Sequence, residues 1–275
     1  MLGDPITKLV NMCLSEGSFP TSLKAALVTP LLKKSGLAND DLSNYRPISN
    51  LPYISKLIER IIHQRITAHI DSFPTFSPFQ SAYRKFHSTE TALLRIYNDL
   101  LLAIDKQKVS ALVLLDLSAA FDTLDHGILL HRLEAWFGIS GGALALLSSY
   151  LRDRVQSVNI NGASSESLPL ITGVPQGSVL GPLLFTMYTT PLAHVLNESG
   201  FRFHLYADDT QVYISFPAGD SRLALSGLSS VLDKIHLWFS SNKLSLNPSK
   251  TEYLIIGNRQ QMAKLTFRTL QFNGL

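Results

Sequence analysis

Apolar residues recur at every second position through residues 201–216, FRFHLYADDTQVYISF. Phe201, Phe203 and Leu205 lie before the polar centre, and Val212, Ile214 and Phe216 lie after it. A period of two predicts the two strands of a hairpin, each with one buried face. The run Val109–Asp116, VSALVLLD, shows a different pattern. Seven of its eight residues are uncharged, which predicts a strand covered on both faces and ending in an acid.

Helical spacing appears elsewhere. Ile6, Leu9, Val10 and Leu14 make one face of a short amphipathic helix over residues 1–17, ending near Gly17 and before Pro20. Leu57, Ile58, Ile61, Ile62 and Ile66 form the apolar stripe of a helix over about Ser55–Asp71. Ser88 or Thr89 caps a helix reaching about Lys106, and Asp125 caps another ending at Gly138. Helices are also predicted over Gly142–Leu151, after the Gly/Pro turn of GVPQGSVLGPLLF, and over Ser221–Ser241, the last with Leu225, Leu228, Leu232, Ile235 and Trp238 inward. Strands are predicted for KAALVTPLLKK, for a pair joined at Asn161-Gly162, and for KTEYLIIG. Helices and hairpins mix without a βαβ repeat, so the class is α+β.

The two strand patterns frame the candidate chemistry. Asp208 and Asp209 are adjacent at the hairpin tip. Their repulsion costs stability, and an ordinary turn rarely needs both. Asp116, at the end of a buried strand, needs a partner or a metal, because a desolvated carboxylate is costly. With this strand beside the hairpin, Asp116 and Asp208 would share hard cations. Mg²⁺ suits such a site, taking one or two carboxylates plus substrate phosphates. Two such ions serve to activate an attacking hydroxyl and stabilise a leaving pyrophosphate.

Composition adds limits. The 275 residues are 45% hydrophobic and 16% charged, enough for a sizeable core and unlike a disordered chain. Residues 1–115 hold 13 Lys/Arg against 9 Asp/Glu, and residues 116–275 hold 11 against 12. A basic region facing an acidic floor suits a phosphate-backbone ligand. The lone cysteine, Cys13, excludes an intramolecular disulfide and fits an intracellular, reducing setting, in cytoplasm or nucleus. The eight histidines show no ligand spacing. No apolar run reaches membrane-spanning length, so no membrane partner is expected.

Several separate blocks, in order, resemble the reverse transcriptase domain of non-LTR (LINE-type) retrotransposons. They are SNYRPISNLPYISKLIERII, FSPFQSAYRKFHSTETAL, LLDLSAAFDTLDH, GVPQGSVLGPLLF, YADD and NKLSLNPSKTEYLIIG. The resemblance covers nearly the whole chain from about Phe19. It implies a right-hand polymerase: fingers over about 19–105 and 138–172, and a palm with an antiparallel sheet over about 106–137 and 173–257. Residues 1–18 would be a helical extension. The ending LTFRTLQFNGL stops where a thumb is expected, and no endonuclease-like segment precedes Phe19, so the chain reads as part of a longer polyprotein.

The resemblance also implies roles. Arg46, with Lys33 or Lys34, would contact the incoming triphosphate, with Arg as a donor fork and Lys as a point charge. Asp116 and Asp208 would bind two Mg²⁺, or Mn²⁺ in their place, with the Leu117 carbonyl as a further ligand and Asp209 in support. Phe121 would exclude a ribose 2′-hydroxyl, or else serve as a core ring. Gln176 and Gly177 would lie against the nucleotide, where glycine permits close approach. Phe79, Gln80 and Arg84 would lie near the template, or pack beneath it. Tyr206 and Ala207 would line the primer terminus, and Lys250 would protonate the departing pyrophosphate. The expected activity is RNA-templated addition of deoxynucleotides (from dNTPs) to the 3′ end of a DNA primer. The rival expectation is an inactive remnant that binds nucleic acid; telomerase-like or group II intron-like polymerases and a nucleotidyl cyclase rank lower.

Overall fold

The computed structural model describes residues 3–72 and 75–272. In chain order the elements are α1 (Gly3–Glu16), β1 (Ala25–Leu32), β2 (Tyr45–Asn50), α2 (Tyr53–Asp71), α3 (Thr89–Asp105), β3 (Val109–Leu115) and β4 (Leu117–Ser118). There follow α4 (His126–Ala135), α5 (Gly141–Leu151), β5 (Arg154–Ile160), β6 (Ala163–Ser164), β7 (Leu168–Leu170), α6 (Gly181–Thr189) and α7 (Leu192–Ser199). The chain continues through β8 (Arg202–Tyr206), β9 (Asp209–Phe216), α8 (Ser221–Ser241), β10 (Ser245–Leu246), β11 (Glu252–Ile256) and α9 (Arg259–Ala263). It folds as two compact units, one of residues 1–75 and 121–188, the other of 76–120 and 189–275.

In the first unit, β1 lies between β2, antiparallel, and β5, parallel; β6 and β7 both pair with β5. Strand β2 is absent from the sequence reading because Pro47 interrupts its pattern and a proline demotes a run to an edge strand. It is indeed an edge strand, and Pro47 sits opposite Pro30. Helix α1 packs on α5 and buries Val10 and Cys13. Cys13 is 3% exposed, and burial raises its thiol pKa. Asp125 caps α4 as expected, accepting from the Ile128 amide at 2.9 Å. Arg154 is also buried; it lies over the Tyr150 ring and donates to the Tyr150 carbonyl at 2.7 Å.

The second unit is built on an antiparallel sheet of order β11-β3-β9-β8. Strand β3 is central and nearly all buried, as its unbroken apolar run requires. One side is covered by α3, whose Ile96 and Leu100 pack with Leu112 and Tyr213. The capping box of α3 uses Ser88, not Thr89. Helix α8 buries Leu225, Leu228, Leu232 and Ile235 as the stripe predicts, but Phe239 rather than Trp238 fills the last inward place. Residues 79–81 dock along the outer edge of β8: Leu205 donates to the Phe79 carbonyl at 2.8 Å and Ser81 donates to the Leu205 carbonyl at 3.0 Å. That contact satisfies edge groups that would otherwise be open.

Among the described residues no helix is long and apolar enough to cross a membrane. Positions 1–2 of the helix predicted over 1–17, positions 73–74, and positions 273–275 of the ending LTFRTLQFNGL lie outside the described residues.

Candidate active site

The hairpin of β8 and β9 turns through Ala207 and Asp208, with Tyr206 paired to Asp209. Ala207 has φ +55°, a left-handed value that a two-residue II′ turn asks for and that glycine usually fills. The turn is therefore strained by its own residue choice, a common mark of a functional loop. In the register of β3 with β9, Leu115 pairs with Thr210. The next residue, Asp116, thus comes level with Asp209.

A second local device fixes Asp116 and Lys250 together. The short pair β4–β10 runs straight on from Asp116, with Leu117 opposite Leu246. Beyond it, Asn247 donates its amide to the Asp116 carbonyl at 2.8 Å. The Asn247 carbonyl accepts from the amides of Lys250 (3.2 Å) and Thr251 (3.0 Å), closing a turn that returns Lys250 to the acid. Lys250 Nζ lies 3.2 Å from Asp116 Oδ2, an ion pair in which Asp116 is 20% exposed and Lys250 57%.

The electrostatics are those of crowded negative charge. Burial, then the charges of Asp208 and Asp116, raise the carboxyl pKa of Asp209, and Lys250 pulls it back down. Asp116 Oδ2 is buried, and its partner is the Lys250 ammonium. An acid end with mutual repulsion fits hard divalent cations, which take oxygen donors and relieve it. Among the described residues no three or more His, Cys, Asp or Glu side chains are grouped so as to hold a metal ion. An open set of two carboxylates is what Mg²⁺ needs when phosphates and water complete its shell.

The block before α3 is turned inward. Phe79 meets the Phe203 ring edge-on at 5.0 Å and lies under the Arg95 guanidinium at 4.3 Å. Gln80 is buried and donates to the Ala82 carbonyl. Arg84 spends Nη1 on the carbonyls of Ser77 (3.0 Å) and Gln80 (2.9 Å). These three shape the loop. The half-exposed Tyr83, which sequence reasoning passed over, has its phenol pKa raised by partial burial, then by the charges of Asp208 and Tyr206.

The remaining site residues lie in the first unit. Arg46 is exposed on β2 opposite Leu31. Lys33 donates Nζ to the Ser43 carbonyl at 2.6 Å, and Lys34 is exposed. Gln176 and Gly177 form a turn that docks on β2 through backbone: the Ser49 amide donates to the Gln176 carbonyl at 2.8 Å. At Gly177, with φ +103°, a Cβ would stand 3.1 Å from the Ser49 oxygen. At Gly173, φ +78°, it would stand 2.6 Å from the Phe121 carbonyl. That closeness lets Val174 donate to the same carbonyl at 2.9 Å. The ring of Phe121 rests on Phe185, centroids 4.9 Å apart.

Glu59 supports this turn from below, and nothing in the sequence reading singled it out. It is fully buried on α2, where Oε2 accepts from the amides of Val179 (2.7 Å) and Leu180 (3.2 Å) and Oε1 from Ser55 Oγ (3.1 Å). The available signal was its place at i+4 from Ser55 and i−3 from Ile62, on the stripe itself.

Residues 32–272 match the family described as reverse transcriptase (RNA-dependent DNA polymerase). The chain belongs to this family. It is 31% identical over 257 residues to the RNA-directed DNA polymerase from mobile element jockey of Drosophila melanogaster, covering 91% of this chain and 27% of that protein. Over 248 residues it is 30% identical to the probable RNA-directed DNA polymerase from transposon X-element of the same fly, covering 90% and 27%. The reverse transcriptase chain thus spans about a quarter of the length of these curated relatives. Among solved structures, the apo telomerase of Candida tropicalis truncated from its C-terminal domain superposes with a TM-score of 0.60 at 13% identity, over 86% of this chain and 51% of that one. That likeness shows the fold, and the α+β class expected of a polymerase is the one present. Reverse transcriptases of this kind use divalent metal ions.

Proposed function

We propose that the chain is the polymerising part of an RNA-directed DNA polymerase, adding deoxynucleotides to a DNA 3′ end along an RNA template. The observation that carries this reading is the meeting of Asp116, Asp208 and Asp209 at one end of the sheet, with the Lys250 ammonium 3.2 Å from Asp116. The second unit would be the core of the palm, and β1, β2 and their neighbours in the first unit the fingers.

In the reaction the primer 3′-hydroxyl gives its proton to water as its oxygen bonds to the α-phosphorus of the incoming nucleotide, and the bond to the bridging oxygen breaks, its electrons leaving with pyrophosphate. Two Mg²⁺ ions, or Mn²⁺ in their place, held by Asp116, Asp208 and the Leu117 carbonyl, would supply the positive charge for attack and departure. Asp209 keeps the field at the tip negative. Lys250, which the Asn247 turn holds against Asp116, would give its proton to the leaving pyrophosphate. Arg46, Lys33 and Lys34 bind the triphosphate, with Lys33 first giving up its bond to Ser43. Phe121 excludes a 2′-hydroxyl, and Gln176 with Gly177 bounds the base and sugar. Tyr206 and Ala207 line the primer end; Phe79, Gln80 and Arg84 hold the template path from behind. Positioning and charge neutralisation carry most of the rate.

The test is Mg²⁺-dependent primer extension by the purified chain on an RNA template. Asp208→Asn is expected to lose roughly a thousandfold or more in rate, the scale of removing a transition-state charge contact, while RNA binding by anisotropy holds. Equal rates for the two proteins would end the assignment.

A further inference from the structure

Four hydrogen bonds tie the segment that carries Phe121 to the turn before α6. Both stretches, residues 121–126 and 172–174, belong to the first unit. The Gly173 amide donates to the Leu124 carbonyl at 2.7 Å, and the Val174 amide to the Phe121 carbonyl at 2.9 Å. Two side chains complete the seam. The Thr172 hydroxyl donates to the Asp122 carbonyl at 3.0 Å, and His126 Nε2 donates to the Gly173 carbonyl at 2.7 Å. A carbonyl only accepts, so the imidazole carries a proton on Nε2. The stretches lie so close that a Cβ at 173 would also stand 2.7 Å from the Asp122 carbonyl. Above this seam the half-buried ring of Phe121 is tilted 31° against Phe185, which is fully buried on α6.

We propose that His126 and Thr172 are positioning residues that set the height of the Phe121 ring, and through it the preference for deoxyribonucleotides over ribonucleotides. This rests on the reading of Phe121 as the ring that excludes a 2′-hydroxyl. Such a ring discriminates by its clash with a single oxygen atom, so its exact height decides the outcome. A misplacement of about 1 Å is enough to change a rate roughly a hundredfold. A phenyl ring makes no strong hydrogen bond that could hold it in place. Its position comes from the backbone that carries it and from Phe185 behind it. Two of the four bonds use amides, which most substitutions would keep; the other two depend on the side chains at 126 and 172. His126 does more than add a bond. It opens α4, whose start Asp125 caps at the Ile128 amide, so its imidazole ties a rigid element to the seam. A histidine that merely steadied α4 would affect both kinds of nucleotide alike.

The test is single-nucleotide primer extension by the purified chain, run with dNTPs and with rNTPs, which gives the ratio of the two kcat/KM values. His126→Ala is expected to lower that ratio about 10-fold, the scale of one hydrogen bond, while the dNTP value stays within about threefold of the parent. His126→Gln offers an amide donor in place of the ring and should restore the parental ratio. Thr172→Val, at an exposed position that the fold tolerates, removes the other donor and should lower the ratio about threefold. Phe121→Val should lower it further than either. Adding His126→Ala to Phe121→Val should then change nothing more, because the histidine acts through the ring. A parental ratio in both His126→Ala and Thr172→Val, even with equal losses for the two nucleotides, overturns the proposal and leaves Phe121 as the excluding ring. So does a His126→Ala effect that persists in full on top of Phe121→Val. A parental ratio in Phe121→Val removes the role of the ring and this inference with it. A parent that extends no primer removes both together with the polymerase reading.

Discussion

Two carboxylates, one in each unit, meet opposite treatment. Glu59 in the first unit is fully buried, yet three donors reach its oxygens. Asp116 in the second keeps some exposure, but one of its oxygens is buried against the Lys250 ammonium and two further acids stand beside it. The satisfied acid is structural: it holds the start of α6 and thereby the Gln176–Gly177 turn. The second acid faces two like charges and a single ammonium, that of Lys250 at 3.2 Å. Burial alone does not separate the two roles; the balance of donors does.

This contrast can be broken most forcefully at Asp116. Asp116→Asn is expected to cut primer extension by roughly a thousandfold while leaving the melting temperature unchanged or higher. A large loss of stability would make it a second Glu59. Glu59→Ala should do the reverse of Asp116→Asn, costing about 3 kcal/mol in urea unfolding by stranding the Val179 and Leu180 amides. Full stability in that variant would show that the clasp carries nothing. A step smaller, Gly173→Ala should cost about 2 kcal/mol, since its Cβ must displace the Phe121 carbonyl and φ is positive. Ala207→Gly should add about 1 kcal/mol, because glycine relieves the left-handed turn.

The smallest effect is a pH signature. The folded-state pKa of Asp209 lies above its unfolded value, so the folded protein binds this proton more tightly. The carboxylate therefore costs stability above the folded pKa, and the cost disappears as pH falls through the folded toward the unfolded value. Asp209→Asn should raise the melting temperature near neutrality, with the gain fading toward roughly pH 4. A gain that is constant with pH would rule out charge repulsion as its source.

The acid end was legible because each part had a loud local signal. The alternation around YADD gave β8 and β9, the unbroken apolar run gave β3, and a strand ending in an acid marked Asp116. Ser88 and Asp125 were readable as caps because their side chains act on amides only a turn away. Strand β2 was hidden by Pro47, and β4 and β10, two residues each, are too short for any period to show. Glu59 was overlooked because its partners at 179 and 180 are remote in sequence. Phe79, Arg84, Tyr83 and Phe86 were beyond reach for a different reason. All four are aromatic or basic residues in one loop, and only the backbone angles and the docking of 79–81 on β8 decide which turn outward.

The buried thiol where α1 meets α5 gives the molecule a built-in stopwatch. Because Cys13 is the sole cysteine and is 3% exposed, an alkylating reagent can mark it only after that helix lifts away. The labelling rate, followed by mass spectrometry, reports the opening of the amino-terminal helix without any engineered probe. Compared with urea unfolding of the same sample, it tells whether α1 parts from its neighbour alone or only when everything melts.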